Sequence, residues 1–219
     1  NRPDAIAAVG HASLNLNRLV NEVTAFQNEI PEVGILYSFT PRLYSSQYYG
    51  TLVKAYTALS YNGQHIGFVT ENQINDEVKK GLEQYKILVL PEVNNLSAAT
   101  LANIRKWQEN GGVVVTIGRN DNLLKADEYN RPLPESDRNA VLNSDNTVHF
   151  ETSVKQDELR NGLSNLLREL GMNKVIVYNA QTDLPVNEME WRTAKYNGKT
   201  LLSLVNYSAE PKNVYVKVN

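Results

Sequence analysis

Cysteine is absent from the 219-residue chain, and histidine occurs only at His11, His65 and His149. Without cysteine the chain can form no disulfide, no thiolate metal site and no cysteine nucleophile, although this does not fix its compartment. The three histidines are scattered through the sequence and do not have the spacing of a metal site. We therefore expect no metal and no other cofactor, whereas chemistry based on carboxylates stays open.

The chain also lacks a strong net charge and a long hydrophobic run. Its formal net charge is −2, which offers no general electrostatic attraction to nucleic acid or to an anionic membrane. No apolar segment approaches the ~20 residues that a membrane-spanning helix needs. We therefore expect neither nucleic acid nor membrane as a partner. Because the first residue is Asn1 rather than methionine, we expect the chain to be a piece of a longer protein.

The most informative stretch is a short apolar run that ends at a proline, Ile87–Pro91. Such a run is typical of a strand that is buried on both faces of a parallel sheet. A buried helix is the competing interpretation, but the β-branched content, the short length and Pro91 argue against it. The run therefore predicts the central strand of a sheet that is covered by helices.

Predicted strands and helices alternate around this run. Strands are expected at residues 32–39, 65–69, 85–90 and 113–117, and helices at residues 52–60, 73–84 and 98–109. Alternation of this kind implies right-handed crossovers and a doubly wound, mostly parallel sheet of the α/β class. Ligands bind such sheets at the carboxyl ends of the strands.

The pattern divides the chain into three parts. Residues 1–30 predict a leading helix from a preceding domain, and residues 31–172 predict the α/β domain. Within that domain we expect the polar segment 119–146 to be a loop or lid. Residues 173–219 alternate apolar with polar residues and contain Asn197-Gly198, a strong hairpin signal. They predict a small antiparallel β domain.

The strand ends carry no recognised catalytic motif. The loop after the first strand lacks the glycines of a dinucleotide or phosphate loop, and the turns after the later strands offer no serine or cysteine nucleophile. Glu71, Glu92 and Asp121 lie near strand ends and would suit a carboxylate-based glycosidase. Solvated loop charges are the simpler interpretation.

Aromatic residues gather between the first predicted strand and its helix. Arg42, Tyr44, Tyr48 and Tyr49 would suit an exposed surface that binds a sugar or a protein, because aromatic rings stack on apolar faces and arginine forms bidentate contacts. The alternative is that the tyrosines belong to the core. Together with Glu92 and Arg119, these residues are the candidates for a ligand site or an interface.

The order of the elements resembles one known family. The runs Gly34-Ile-Leu-Tyr-Ser-Phe39, Tyr85-Lys-Ile-Leu-Val-Leu-Pro91 and Trp107-Gln-Glu-Asn-Gly-Gly112 resemble the trimerisation domain of glycoside hydrolase family 42 β-galactosidases. That domain looks like a class I glutamine amidotransferase without its catalytic residues. The tail around Asn197-Gly198 looks like the small C-terminal β domain of the same family.

This resemblance implies an assembly role and no catalysis by the chain itself. The expected partners are further copies, most simply in a trimer, and the catalytic barrel domain of the same protein, for which this chain has no counterpart. The amidotransferase cysteine also has no match, because Gly118 and Arg119 follow the fourth strand. The alternatives are a module that binds a carbohydrate or small polar ligand through Arg42, Glu92 and Arg119, and an independent hydrolase that uses the carboxylates.

Overall fold

The computed structural model describes residues 2–76, 78 and 81–218. In chain order its helices and strands are α1 Pro3–Arg18, α2 Val20–Asn28, β1 Val33–Leu36, α3 Phe39–Tyr44, α4 Tyr48–Ser60, β2 Ile66–Val69, α5 Glu71–Ile74, β3 Ile87–Pro91, α6 Ala98–Glu109, β4 Val113–Ile117, α7 Glu135–Leu142, β5 Thr147–Phe150, α8 Gln156–Glu169, β6 Val175–Asn179, β7 Met189–Tyr196, β8 Lys199–Asn206 and β9 Val214–Val218.

The first five strands form one parallel sheet in the order β2-β1-β3-β4-β5. Ile87 of β3 pairs with Val33 of β1 on one side and with Val113 of β4 on the other. All residues of these three strands are buried, which requires that helices cover both faces of the sheet. The order is that of flavodoxin-like doubly wound sheets. The predicted α/β fold class is thereby confirmed.

Two groups of helices cover the sheet. Helix α4 packs against α8, and α6 packs against α5 and α7. Helix α6 begins where the sequence predicts, because the Ser97 side chain accepts a hydrogen bond from the Thr100 amide. Ser97 is thus the N-cap that satisfies one of the unpaired donors of the first turn.

Several elements differ from the prediction. The leading helix breaks at Leu19 into α1 and α2. The helix expected at residues 73–84 is only the four-residue α5; residues 77, 79 and 80 of that prediction lie outside the described residues. The segment 119–146 is not a free loop or lid, since it contains α7 and buries Leu123, Leu124 and Val141.

The last part of the chain forms two antiparallel ribbons. Strand β6 pairs with β9, and β7 pairs with β8. The turn between β7 and β8 places both Asn197 and Gly198 at positive φ, 49° and 72°, as a type I′ hairpin turn requires. The small antiparallel sheets are therefore confirmed. The division of the chain at residues 30 and 172 stays a prediction.

The ribbons have a hydrophobic cluster of their own. It consists of buried residues from β6, β7 and the segment between them, namely Val175, Val177, Val186, Met189 and Trp191. The Trp191 indole nitrogen donates to the Val175 carbonyl at 3.1 Å. Glu29, at the end of α2, accepts a hydrogen bond from the Lys195 amide of β7 at 2.8 Å, so the leading segment is attached to these ribbons.

Within the described part of the chain, no helix has the length and apolar character to cross a membrane.

Candidate functional site

A cleft of about 630 Å³ lies at the carboxyl ends of the parallel strands. Its walls come from four loops: Tyr44 and Gln47 follow β1, Glu92 and Asn94 follow β3, Arg119 follows β4, and Thr152 follows β5. The strand order reverses between β1 and β3, and the loops that follow these two strands diverge there and leave a crevice. The topology therefore places the cleft where doubly wound sheets bind ligands.

Glu92 is the most constrained side chain in this cleft. It is 5% exposed, and its backbone has φ 47°, a conformation that residues other than glycine rarely adopt. Its amide donates to the Ile117 carbonyl at 2.6 Å, and its carboxylate oxygen Oε1 accepts a hydrogen bond from the Thr152 hydroxyl. The contact with the end of β4 fixes the Glu92 backbone, and the contact with Thr152 after β5 holds its carboxylate.

Gly118 leaves the space beside this carboxylate open. A β-carbon at Gly118 would lie 3.4 Å from the second oxygen of Glu92, Oε2, and 2.7 Å from Leu123 Cδ2. The second contact is too short for a side chain without a shift of Leu123. A glycine directly after β4 therefore lets Leu123 pack close to the backbone, whereas a β-carbon there would be at ordinary contact distance from the Glu92 carboxylate.

Arg119 and Asn94 lie on the same walls. The Arg119 guanidinium is largely exposed and pairs with the Asp121 carboxylate at 2.8 Å. Asn94 places its side-chain oxygen in a buried position where no hydrogen-bond donor reaches it among the described residues. The sequence drew attention to Arg119 but not to Asn94 or Thr152, because a loop position alone does not reveal which polar side chains turn inward.

Tyr48 does not belong to an exposed surface, and the expectation that it does was wrong. It is 1% exposed, its hydroxyl donates to the Leu36 carbonyl at 2.8 Å, and the same hydroxyl accepts from the Ser38 amide at 2.9 Å. Burial raises the pKa of this phenol to about 12. Tyr48 therefore connects α4 to the end of β1 as a core residue.

Tyr49 lies on a different surface from the cleft. It is 63% exposed and lines a groove of about 580 Å³ together with Tyr37, Leu52, Val53, Tyr56 and Phe68. The Tyr56 and Phe68 rings stack at 6.0 Å between centroids. We call these six residues the aromatic groove. It lies beside β2, which is one edge strand of the sheet.

Arg42 and Glu71 have other positions. Arg42 is exposed on α3 and is not among the residues that line the cleft. Glu71 is not a solvated loop charge, because its carboxylate accepts hydrogen bonds from the Ser97 amide at 3.1 Å, the Thr100 hydroxyl at 3.2 Å and the Ser38 hydroxyl. The structure therefore brings Tyr44, Glu92 and Arg119 together and separates them from Arg42, Tyr48 and Tyr49.

The described residues contain no group of three or more histidine, aspartate or glutamate side chains that would hold a metal ion. His149 contacts the Thr116 hydroxyl at 3.0 Å and the Glu151 carboxylate at 3.2 Å, which accounts for both of its ring nitrogens. Burial lowers the pKa of His65, and this residue lies before β2, at the opposite end of the strands from the cleft.

Comparison with known proteins gives matches among solved structures only. No family model matches the sequence, and no curated protein matches it significantly. A GH42 exo-carrageenase from Bacteroides ovatus matches 93% of this chain with a TM-score of 0.67 and 18% identity. A catalytic mutant of Gan42B, a GH42 β-galactosidase from G. stearothermophilus, matches 88% with a TM-score of 0.60 and 11% identity. A β-galactosidase from Bacillus circulans sp. alkalophilus matches 84% with a TM-score of 0.63 and 12% identity.

The chain spans only part of each of these proteins, namely 26%, 41% and 36% of their respective lengths. At such low identities the similarity shows the fold. The chain thus has an α/β fold with appended β-ribbons that is also found within GH42 glycoside hydrolases, and the resemblance drawn from the sequence is confirmed at the level of the fold.

Proposed function

We propose that this chain is the non-catalytic assembly region of a larger glycoside hydrolase of the β-galactosidase type. The observation that carries the proposal is the extent of the structural match. Most of this chain superposes on GH42 proteins, yet it spans less than half of each of these three. We therefore interpret this chain as one part of a longer enzyme. Because a fold does not define a function, we argue the role of this part from its surfaces.

The aromatic groove supports an assembly role. Tyr37, Tyr49, Val53 and Phe68 are each more than 40% exposed, and they form one surface with Leu52 and Tyr56. Contiguous exposed aromatic surface is uncommon on monomers and typical of protein interfaces. We propose that a second copy of the chain covers this groove, and that three copies associate as in the trimerisation domain that the sequence resembles.

Helix α1 supports a second contact, with the catalytic barrel. None of its residues is buried, although Ile6, Val9, Leu14 and Leu16 are large and apolar. In proteins, most of the stability of a helix comes from the packing of its apolar side on a neighbour. We propose that the apolar side of α1 packs on the barrel domain, and that α2 connects α1 to β7.

The strand ends support the absence of catalysis. The position after β4 is Gly118, where the amidotransferase-like arrangement would need a nucleophile, and Glu71 is fully engaged by Ser38, Ser97 and Thr100. The assignment to an amidotransferase-like ancestor without its active site is part of this proposal.

The test is the mass of the chain in solution, measured by light scattering over a concentration series. We expect a mass of about three times the 24.6 kDa of one chain. The double substitution Tyr49→Ser and Phe68→Ser should shift the population toward the monomer, because it removes two exposed rings from the groove without touching the buried Tyr48.

The matched control is Tyr129→Ser, which removes an equally exposed tyrosine outside the groove. It should leave the mass unchanged. A wild-type chain that stays monomeric at all concentrations, or an oligomer that the double substitution does not weaken, would contradict assembly through the aromatic groove.

A further inference from the structure

We propose that the cleft at the strand ends binds a neutral polyhydroxylated ligand of monosaccharide or disaccharide size, whose hydroxyl groups donate to Glu92 and Asn94. This site is separate from the aromatic groove and does not depend on the assembly role. Its volume of about 630 Å³ lies within the range of small-molecule pockets, roughly 300–1,000 Å³.

The first support is that the Glu92 carboxylate is buried with few hydrogen-bond donors. It is almost completely buried, and within the described part of the chain it has no ion-pair partner. An ionised carboxylate offers about four acceptor positions, and among the described residues only the Thr152 hydroxyl donates to the Glu92 carboxylate. Burial of a charge is costly unless hydrogen bonds compensate. Donors supplied by a ligand in the cleft would provide that compensation.

The second support is independent and comes from Asn94. Its side-chain oxygen is buried and has no donor among the described residues, whereas its backbone N–H donates to the Glu92 carbonyl at 3.0 Å. A buried acceptor without a partner costs roughly 1–3 kcal/mol. Glu92 and Asn94 line the same cleft, so a ligand with two or more hydroxyl donors reaches the Glu92 carboxylate directly and the buried Asn94 oxygen once that side chain rotates toward the cleft.

The backbone supports the same interpretation. Glu92 keeps φ 47° although it has a side chain, and such strain costs about 1–3 kcal/mol and collects at ligand sites. The conformation turns the residue back over Gly118, whose missing β-carbon leaves room beside Oε2. The fold thus maintains an unfavourable conformation at the position where the carboxylate lines the cleft.

The lining selects a neutral ligand over an anion. The cleft is lined by two carboxylates, Glu92 and Glu151, and by one guanidinium, Arg119, which already pairs with Asp121. A phosphate or carboxylate ligand would therefore meet net negative charge. The remaining walls are hydroxyl and amide side chains, with the half-exposed ring of Tyr44 at the edge, where it can stack on the apolar face of a sugar.

The experiment is a titration of the full chain with D-galactose, D-glucose and lactose, and with inorganic phosphate as an anionic probe, followed by calorimetry and by amide chemical shifts. We expect binding of at least one of the three sugars at millimolar concentration, shift changes at the Asn94 side-chain amide and around Thr152, and no binding of phosphate. Because one charged hydrogen bond contributes roughly 1.5–3 kcal/mol, Glu92→Gln should weaken sugar binding about tenfold or more.

Two further variants separate binding from folding. Asn94→Ala should also weaken binding, whereas Glu109→Gln, which alters an exposed carboxylate at the far end of α6, should leave it unchanged. If Glu92→Gln fails to fold, the shift changes in the wild-type chain and the Asn94→Ala titration decide. The proposal is overturned if none of the sugars binds at tens of millimolar, if phosphate binds instead, or if sugar binding is equal in wild type and Asn94→Ala.

Discussion

At the scale of single residues, neighbours in the sequence have opposite roles. Tyr48 is buried and joins two backbone groups near the end of β1, whereas Tyr49 lies on the aromatic groove. The sequence drew attention to both tyrosines but could not tell them apart, because both stand at the start of one helix and the turn after Ser45 decides which one faces the sheet. The same limit applies to Asn94, whose inward orientation depends on the backbone at Glu92.

Replacing Tyr48 with phenylalanine tests this difference. The substitution keeps the ring but removes the hydroxyl, which leaves the Leu36 carbonyl and the Ser38 amide without their partner. We expect a loss of about 1–3 kcal/mol in the free energy of unfolding, measured in urea. Tyr49→Phe, which alters an exposed ring, should change it by less than about 0.5 kcal/mol. Equal effects of the two substitutions would show that the Tyr48 hydrogen bonds do not matter for stability.

At the scale of elements, those with a strong local pattern were predicted and those that depend on tertiary packing were not. Strands β3 and β4 are continuous apolar runs, and α6 has a serine cap before it and Asn110-Gly111-Gly112 after it. Helix α7 buries only Val141, so its apolar pattern is too weak to be recognised. The break at Leu19 has no proline or glycine to signal it, and it separates the exposed α1 from α2, which packs on β7.

Glu71 joins three elements, and its removal should loosen all of them. Its carboxylate accepts from Ser97 and Thr100 at the start of α6 and from Ser38 after β1. We expect Glu71→Ala to lower the free energy of unfolding by about 2 kcal/mol, because three polar groups lose their acceptor. The control Glu109→Ala breaks an exposed pair with Arg105 and should cost less than about 0.5 kcal/mol. If Glu71→Ala were as stable as Glu109→Ala, the hydrogen bonds of Glu71 would not contribute to the stability of the fold.

At the scale of the whole molecule, the sequence predicted the fold class but not the arrangement of its surfaces. The alternation of strands and helices defines a doubly wound sheet, and the structure adds the strand order and the crevice that results from it. Of the six candidate site residues, Tyr44, Glu92 and Arg119 meet in the cleft. Their proximity depends on which strands are adjacent, and the spacing of residues along the chain does not contain that information.

The whole-molecule proposal also predicts an absence of catalysis. The purified chain should not hydrolyse a chromogenic β-galactoside, because the proposed catalytic barrel is not part of it. The measurement is the release of nitrophenol over several hours at high protein concentration, with an active β-galactosidase as the positive control. Turnover by the wild-type chain that Glu92→Gln abolishes would instead identify the carboxylates of the cleft as catalytic.

Helix α8 closes the core of the sheet although it lies late in the chain. Leu159, Leu163 and Leu167 belong to the same hydrophobic cluster as Leu59 of α4, and the Asn62 side chain donates to the Arg160 carbonyl at 2.9 Å. During synthesis, strands β1 and β3 and helix α4 therefore leave the ribosome well before the helix that covers them. Until residue 170 emerges, that apolar surface stays uncovered, and the nascent chain is prone to aggregate.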